Sequence, residues 1–154
     1  MPNLMSESIF SSFYARTLTF AVASVAQSQT AVAMKVNVND ATSGSLKPLG
    51  FVAQHDGSIV GMTISLDVIK TAGVLTATPT INTTAITKPA ALVAAALGNT
   101  VKVAVVNTDG QQIGARFKSG DIIGVKYTSD GSLLPNGSAD LLIEVEIVYE
   151  GVQP

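Results

Sequence analysis

The run Gly114-Ala-Arg-Phe-Lys-Ser-Gly-Asp-Ile-Ile-Gly-Val-Lys-Tyr-Thr-Ser-Asp-Gly131, followed downstream by Ala139-Asp-Leu-Leu-Ile-Glu-Val-Glu-Ile-Val-Tyr-Glu150, decides how the chain is read. In the second segment Leu141, Ile143, Val145, Ile147 and Tyr149 alternate with positions that include Glu144, Glu146 and Glu150. Successive side chains of a strand point to opposite faces, so this period of two gives one apolar face and one wet face. In the first segment Ile123, Val125 and Tyr127 alternate with Ile122, Gly124, Lys126 and Thr128, and Ser119-Gly120-Asp121 supplies turn chemistry just upstream. The loop Leu133-Leu-Pro-Asn-Gly-Ser138 separates two long, complementary strands. Neither strand carries a chemically reactive group, so the stretch speaks to architecture rather than to a reaction.

The same alternation recurs on moving outward. Ile113, Ala115 and Phe117 lead into the run, Asn107-Thr-Asp-Gly110 is a turn, and Val101, Val103 and Val105 form a strand before it. Further upstream, Val60, Met62, Ile64, Leu66 and Val68 face one way and Ile59, Gly61, Thr63, Ser65 and Asp67 the other. Val74 to Asn82 continues after the Ala72-Gly73 turn; Pro79 within it lacks an N–H, which suits an edge or a bulge. Val32, Met34, Val36 and Val38 give another strand, and Leu18, Phe20 and Val22 the first. One helix is predicted between Thr87 and Gly98, with Pro89 in its first turn and Gly98 at its stop. About eight or nine strand signals separated by turns match a two-sheet antiparallel sandwich.

Ahead of this body, Met1 to Phe13 shows neither strict alternation nor a helical stripe. It reads as an extended arm, with residues 1–16 as arm and 17–154 as domain. Ile9, Phe10, Phe13 and Tyr14 are its apolar anchors, the candidate contacts to a partner surface or a sister subunit. The Thr-broken run after Arg16 reads as a strand and not as a secretory signal, and no stretch has the length of a membrane-spanning helix.

Composition narrows function by exclusion. The 154 residues suffice for one core, and the chain holds no cysteine and a single histidine, His55, which leaves no disulfide framework and no Cys/His metal site. A hydrolytic triad has only His55 to serve as base, and it sits beside a turn. Asp121, Asp130 and Asp140 match no calcium-loop spacing, and Glu144 and Glu146 read as solvated strand charges. No catalytic, cofactor-binding or metal residue is assigned. The nine Lys and Arg residues are scattered over a net charge of -2, so no basic stripe marks a nucleic-acid partner. Only 13% of residues are charged while 47% are apolar, a balance that fits oligomerisation and fits equally a surface covered by the plentiful Thr, Ser, Asn and Gln.

The phrases at 57–66, 71–82, 117–131 and 139–147, taken in order, resemble small structural proteins of tailed bacteriophages that carry a jelly roll like those of the C1q and tumour-necrosis-factor modules. The resemblance covers residues 57–147 and lies in the order and spacing of strands. It implies an all-β, antiparallel two-sheet jelly-roll sandwich with an extended N-terminal arm and one short helix. It also implies a homotrimer that binds the major capsid protein as a head decoration, or cement, protein at the virion surface, with no cofactor, nucleic-acid or membrane partner. A protein of this kind is made in the host cytoplasm without a signal peptide. The alternative within the resemblance is the receptor- or glycan-binding knob of a tail or head fibre, with Thr83 to Pro89 or Ser129 to Ser138 as recognition loops. Trimeric deoxyuridine triphosphatases have a similar length, but their phosphate-binding Gly-Arg-Ser phrase is missing: Arg116 stands in Gly-Ala-Arg-Phe and Arg16 in Tyr-Ala-Arg-Thr.

Overall fold

The alternating segment near the C-terminus lies at the middle of a sheet. In a computed structural model, which describes residues 14–36, 49–86, 95–96, 102–106 and 115–150, twelve strands are seen. They are β1 (Tyr14–Val22), β2 (Gln29–Ala33), β3 (Lys35–Val36), β4 (Phe51–Val52), β5 (Gly57–Leu66) and β6 (Leu75–Ile81). The remainder are β7 (Thr84–Ala85), β8 (Ala95–Ala96), β9 (Lys102–Val106), β10 (Ala115–Phe117), β11 (Ile122–Ser129) and β12 (Leu141–Tyr149). β12 pairs antiparallel with β1 along its whole length, from Val22 opposite Leu141 to Tyr14 opposite Tyr149. On its other side it pairs with β5.

Two antiparallel sheets result. The first has the order β3, β1, β12, β5, with β9 and β10 sharing the far side of β5 at Gly61–Ser65 and Gly57–Ile59 respectively. The second places β11 beside β6, with β2 and β4 along the other side of β11 and β7 and β8 along the other side of β6. The links from β1 to β2, β5 to β6 and β11 to β12 each cross between sheets at one end; those from β4 to β5 and β10 to β11 cross at the other. With the last strand between the first and the fifth, and the eleventh between the second and the sixth, this is jelly-roll topology.

Burial follows the alternation. All five odd-numbered positions of β12 from Leu141 to Tyr149 are buried. They meet Leu18 and Phe20 of β1 and Met62 and Ile64 of β5 in the first sheet, and Ile123, Val125, Tyr127, Leu75 and Ala77 of the second. Removing this much aliphatic and aromatic surface from water is what stabilises the sandwich, at about 1.5–3 kcal/mol for each fully buried large side chain.

Four details differ from the sequence reading. A register shift opposite Glu146 and Ile147 leaves Val60 unpaired with β12, so Ile59 rather than Val60 enters the core. Val68 lies beyond β5 and is exposed, because the strand ends at Leu66. Ala95 and Ala96, inside the span expected to be helical, pair as a strand with Ala77 and Thr76, and no helix occurs among the described residues; positions 87–94 and 97–100 of that span lie outside them. Finally, Tyr14 to Arg16, assigned to the arm, belong to β1.

Pro79 sits inside β6, opposite Val125 of β11. Its carbonyl accepts the Ile86 amide at 3.1 Å, so its nitrogen also faces that side. Among the described residues no strand is paired with Pro79 on that side, so none of their ladder bonds calls for a proline N–H.

Candidate functional site

Of the expected contact residues, Ile9, Phe10 and Phe13 lie outside the described residues, and Tyr14 heads β1 opposite Tyr149. The chain N-terminal to Tyr14 therefore joins the body at the end formed by residues 53–56, 82–83 and 118–121. Two residues on, the Arg16 guanidinium lies 4.5 Å from the centre of the Phe51 ring and ties β1 of the first sheet to β4 of the second. Leu49, Val52 and Ile122 are exposed beside it, with Val52 and Ile122 directly paired.

His55 is on this end too. Its ring packs edge-on against Tyr149 at 5.4 Å, and Phe117 does the same from the other side at 6.1 Å. The adjacent Asp56 accepts the Ser119 amide at 2.9 Å and the Lys118 ammonium at 2.9 Å. Those bonds, the backbone amide first, hold its carboxyl below the usual value. Asp121 accepts the Lys118 amide at 2.7 Å and the Asn82 side-chain amide at 2.7 Å, and is lowered in the same way. The polar groups around His55 are thus engaged in holding turns. The described residues contain no group of three potential metal ligands.

The three aspartates considered as calcium ligands do not come together. Asp121 is at the arm end, whereas Asp130 and Asp140 are at the opposite one. Asp130 accepts the amides of Val74 and Ser132, each at 3.0 Å, and its carboxyl is lowered chiefly by the first. Asp140 accepts the Ser24 amide at 2.9 Å and donates its own amide to Asp67 at 2.9 Å. These are turn and loop bonds of the kind that make Asp common there.

Glu144 and Glu146 project from the outer face of the first sheet, opposite Thr19 and Thr17 of β1 and Thr63 and Gly61 of β5. Neither lines the groove formed by residues 21–23, 65–67 and 140–142. On the outer face of the second sheet Thr76, Thr78 and Thr80 alternate along β6, and Lys126 reaches the Thr83 carbonyl at 2.7 Å. Thr80 is buried, where the chain at Leu49 passes over Gly124, while Thr76 and Thr78 are half-buried.

This geometry defines a jelly-roll β-sandwich whose polar groups are structural and whose exposed apolar side chains gather at its ends. No helix among the described residues is long and apolar enough to cross a membrane. No protein-family model matches the chain, and no curated protein matches it.

Proposed function

We propose that this chain is a trimeric capsid decoration protein of a tailed bacteriophage, which binds the outer surface of the head and ties neighbouring major capsid subunits together. The observation that carries the reading is the placement of Tyr14. It opens β1 and pairs directly with Tyr149 of β12, so in the sequence Ile9, Phe10 and Phe13 stand only a few residues ahead of a paired strand. Three such anchors on one trimer act at high effective concentration, and modest contacts combine into tight attachment. An anchor buried in a capsid groove contributes about 1.5–3 kcal/mol before the cost of ordering it. The low charge content supports self-association.

The experiment is a truncation that stops at Phe13, because removing Tyr14 would cut into β1. The shortened chain should keep the mass of a trimer in light scattering and its thermal transition, and should no longer sediment with heads of the phage that encodes it. Heads that still bind the shortened chain would sink the reading. Binding of the isolated body to host cells or glycans, with none to heads, would favour the fibre-knob alternative.

A further inference from the structure

Asn136-Gly137 is the single Asn-Gly step in the chain. An asparagine followed by glycine is prone to cyclise spontaneously, because no side chain shields the following backbone nitrogen and glycine reaches backbone angles that other residues do not. Both residues are exposed, and a Cβ at Gly137 would meet nothing within 4 Å, so the neighbours leave room for water and for the reacting groups. What restrains the pair is a short stretch of chain on one side.

That stretch is a strap over residues 24–28, in the link between β1 and β2. The Gly137 amide donates to the Val25 carbonyl at 2.8 Å, and the Gln27 amide donates to Asn136 Oδ1 at 3.0 Å. The nitrogen that would attack and the carboxamide it would attack are each tied to the same strap. Three more bonds fasten it: the Ser24 amide to the Asp140 carboxylate at 2.9 Å, the Val25 amide to the Ala139 carbonyl at 2.8 Å, and the Gln27 side-chain amide to the Leu133 carbonyl at 2.8 Å. Val25, only 1% exposed, anchors it in the core. Ser24 and Ser28 have φ of 55° and 56°, a left-handed conformation that residues with a Cβ adopt only at a cost, so the strap is closed against strain at both ends.

We propose that Asn136 is a site of spontaneous covalent modification, latched by the strap and undoing that latch once modified. When the strap lifts, the Gly137 nitrogen gives up its proton and bonds to Asn136 Cγ, the bond from Cγ to the side-chain nitrogen breaks, and ammonia leaves with that proton. Water then opens the cyclic imide. Cleavage between the ring nitrogen and Cγ gives aspartate; cleavage between that nitrogen and the main-chain carbonyl carbon gives isoaspartate, whose backbone runs through Cγ. The isoaspartate backbone is lengthened by the side-chain methylene, so the Gly137 amide and the oxygen at residue 136 no longer meet Val25 and Gln27 together. Strain at Ser24 and Ser28 then favours release of the strap. The change is one-way, and its rate is set by how often the strap opens.

The test incubates the full chain in mildly alkaline buffer, both folded and unfolded in guanidinium chloride, and follows residue 136 by peptide mass mapping that separates asparagine, aspartate and isoaspartate. The folded chain should convert about tenfold or more slowly, since only its open fraction reacts. Val25→Ala removes the buried anchor and leaves the reacting groups alone; it should speed conversion several-fold in the folded chain and leave the rate in guanidinium unchanged. Should that variant fail to fold, Gln27→Ala, which cuts only the side-chain bond to Leu133, should act in the same direction. Aged chain, purified by its added negative charge, should exchange the amide hydrogens of residues 25–27 faster than Asn136→Asp, which represents the aspartate product alone. Equal rates in the folded and unfolded parent, a folded strap variant that converts at the parent's rate, or aged and Asn136→Asp chains that exchange alike would overturn the inference.

Discussion

Asp56, in the link between β4 and β5, accepts the backbone amide of Ser119 at 2.9 Å and so fastens the link between β10 and β11 to it. Asp121 fastens the same turn from the inside through the Lys118 amide, and Asp130 does the equivalent at the far end with Val74. All three carboxyls are held below their ordinary value of 3.8, chiefly by these backbone amides. A carboxyl whose folded value is depressed adds stability above its unfolded value, and that stability is lost as pH falls through the folded one. The urea midpoint should therefore be flat from neutrality to about pH 5 and decline below about pH 4. Asp56→Asn combined with Asp121→Asn should lower the neutral plateau and flatten the acid limb. A double variant with an unchanged acid limb would show that other groups control it.

The two faces of β12 should respond very differently to truncation. Ile143 is fully buried between the sheets, and Ile143→Ala leaves a cavity that the surrounding residues cannot close. It should destabilise the fold by about 2–5 kcal/mol in urea unfolding. Glu144, its neighbour in sequence, faces outward, and Glu144→Ala should stay within about 0.5 kcal/mol of the parent. Similar losses at both positions would mean that the outer face is covered in solution, which analytical ultracentrifugation can then attribute to oligomer contacts.

Gly73 and Gly137 separate backbone strain from crowding. Both have positive φ, 78° and 69°. A Cβ at Gly137 would meet nothing within 4 Å, whereas one at Gly73 would run into the backbone of Leu133 and the carboxylate of Asp130. Gly137→Ala should cost about 1 kcal/mol, the left-handed penalty alone. Gly73→Ala should cost at least about 3 kcal/mol, because the bridge between Ala72 and Leu134 must open to admit the methyl. Equal thermal shifts for the two would place the loop at 67–74 elsewhere than in this fold.

The alternation that identified β12 and β1 was legible because their inward residues are buried and polar residues mark the other face; in β5 and β11 small residues such as Ser58, Gly61 and Gly124 are buried on the outer face as well. The bulge at Val60 was not legible, since Ile59, Val60 and Met62 are all aliphatic and hydrophobic pattern cannot say which of the first two turns inward. Pro79 signalled an interruption correctly, but among the described residues the interruption falls between two short paired neighbours rather than at a sheet edge. The alanine-rich span before Gly98 read as helix on local propensity, and pairing with β6 places Ala95 and Ala96 in a strand, the kind of override that tertiary context exerts on a weak prior. The arm as read to residue 16 is three residues too long because Tyr14, Ala15 and Arg16 carry no alternation of their own; the register against Tyr149, Val148 and Ile147 shows that they are paired.

The turn between β6 and β7 offers a stabilising change. Asn82 and Thr83 both have positive φ, 51° and 67°, the pattern of a type I′ hairpin turn, whose twist matches that of the strands it joins. Asn82 is suited to it and is engaged further: its side chain donates to Asp121 and accepts the Ile122 amide at 2.9 Å. Threonine is not suited, because its branched Cβ crowds the backbone in the left-handed region, at a cost of about 1–2 kcal/mol. The Thr83 carbonyl accepts the Lys126 ammonium, and glycine would preserve that bond. Thr83→Gly removes the crowding but loosens the unfolded chain by about 0.4–1 kcal/mol, so a net gain of about 0.5–1 kcal/mol is expected. Asn82→Ala should do the reverse, losing about 1–2 kcal/mol as the Ile122 amide and Asp121 lose their partner. Urea midpoints measured at neutral pH decide the matter: a loss of stability in Thr83→Gly would mean that the threonine side chain makes a contact in solution worth more than the strain it imposes.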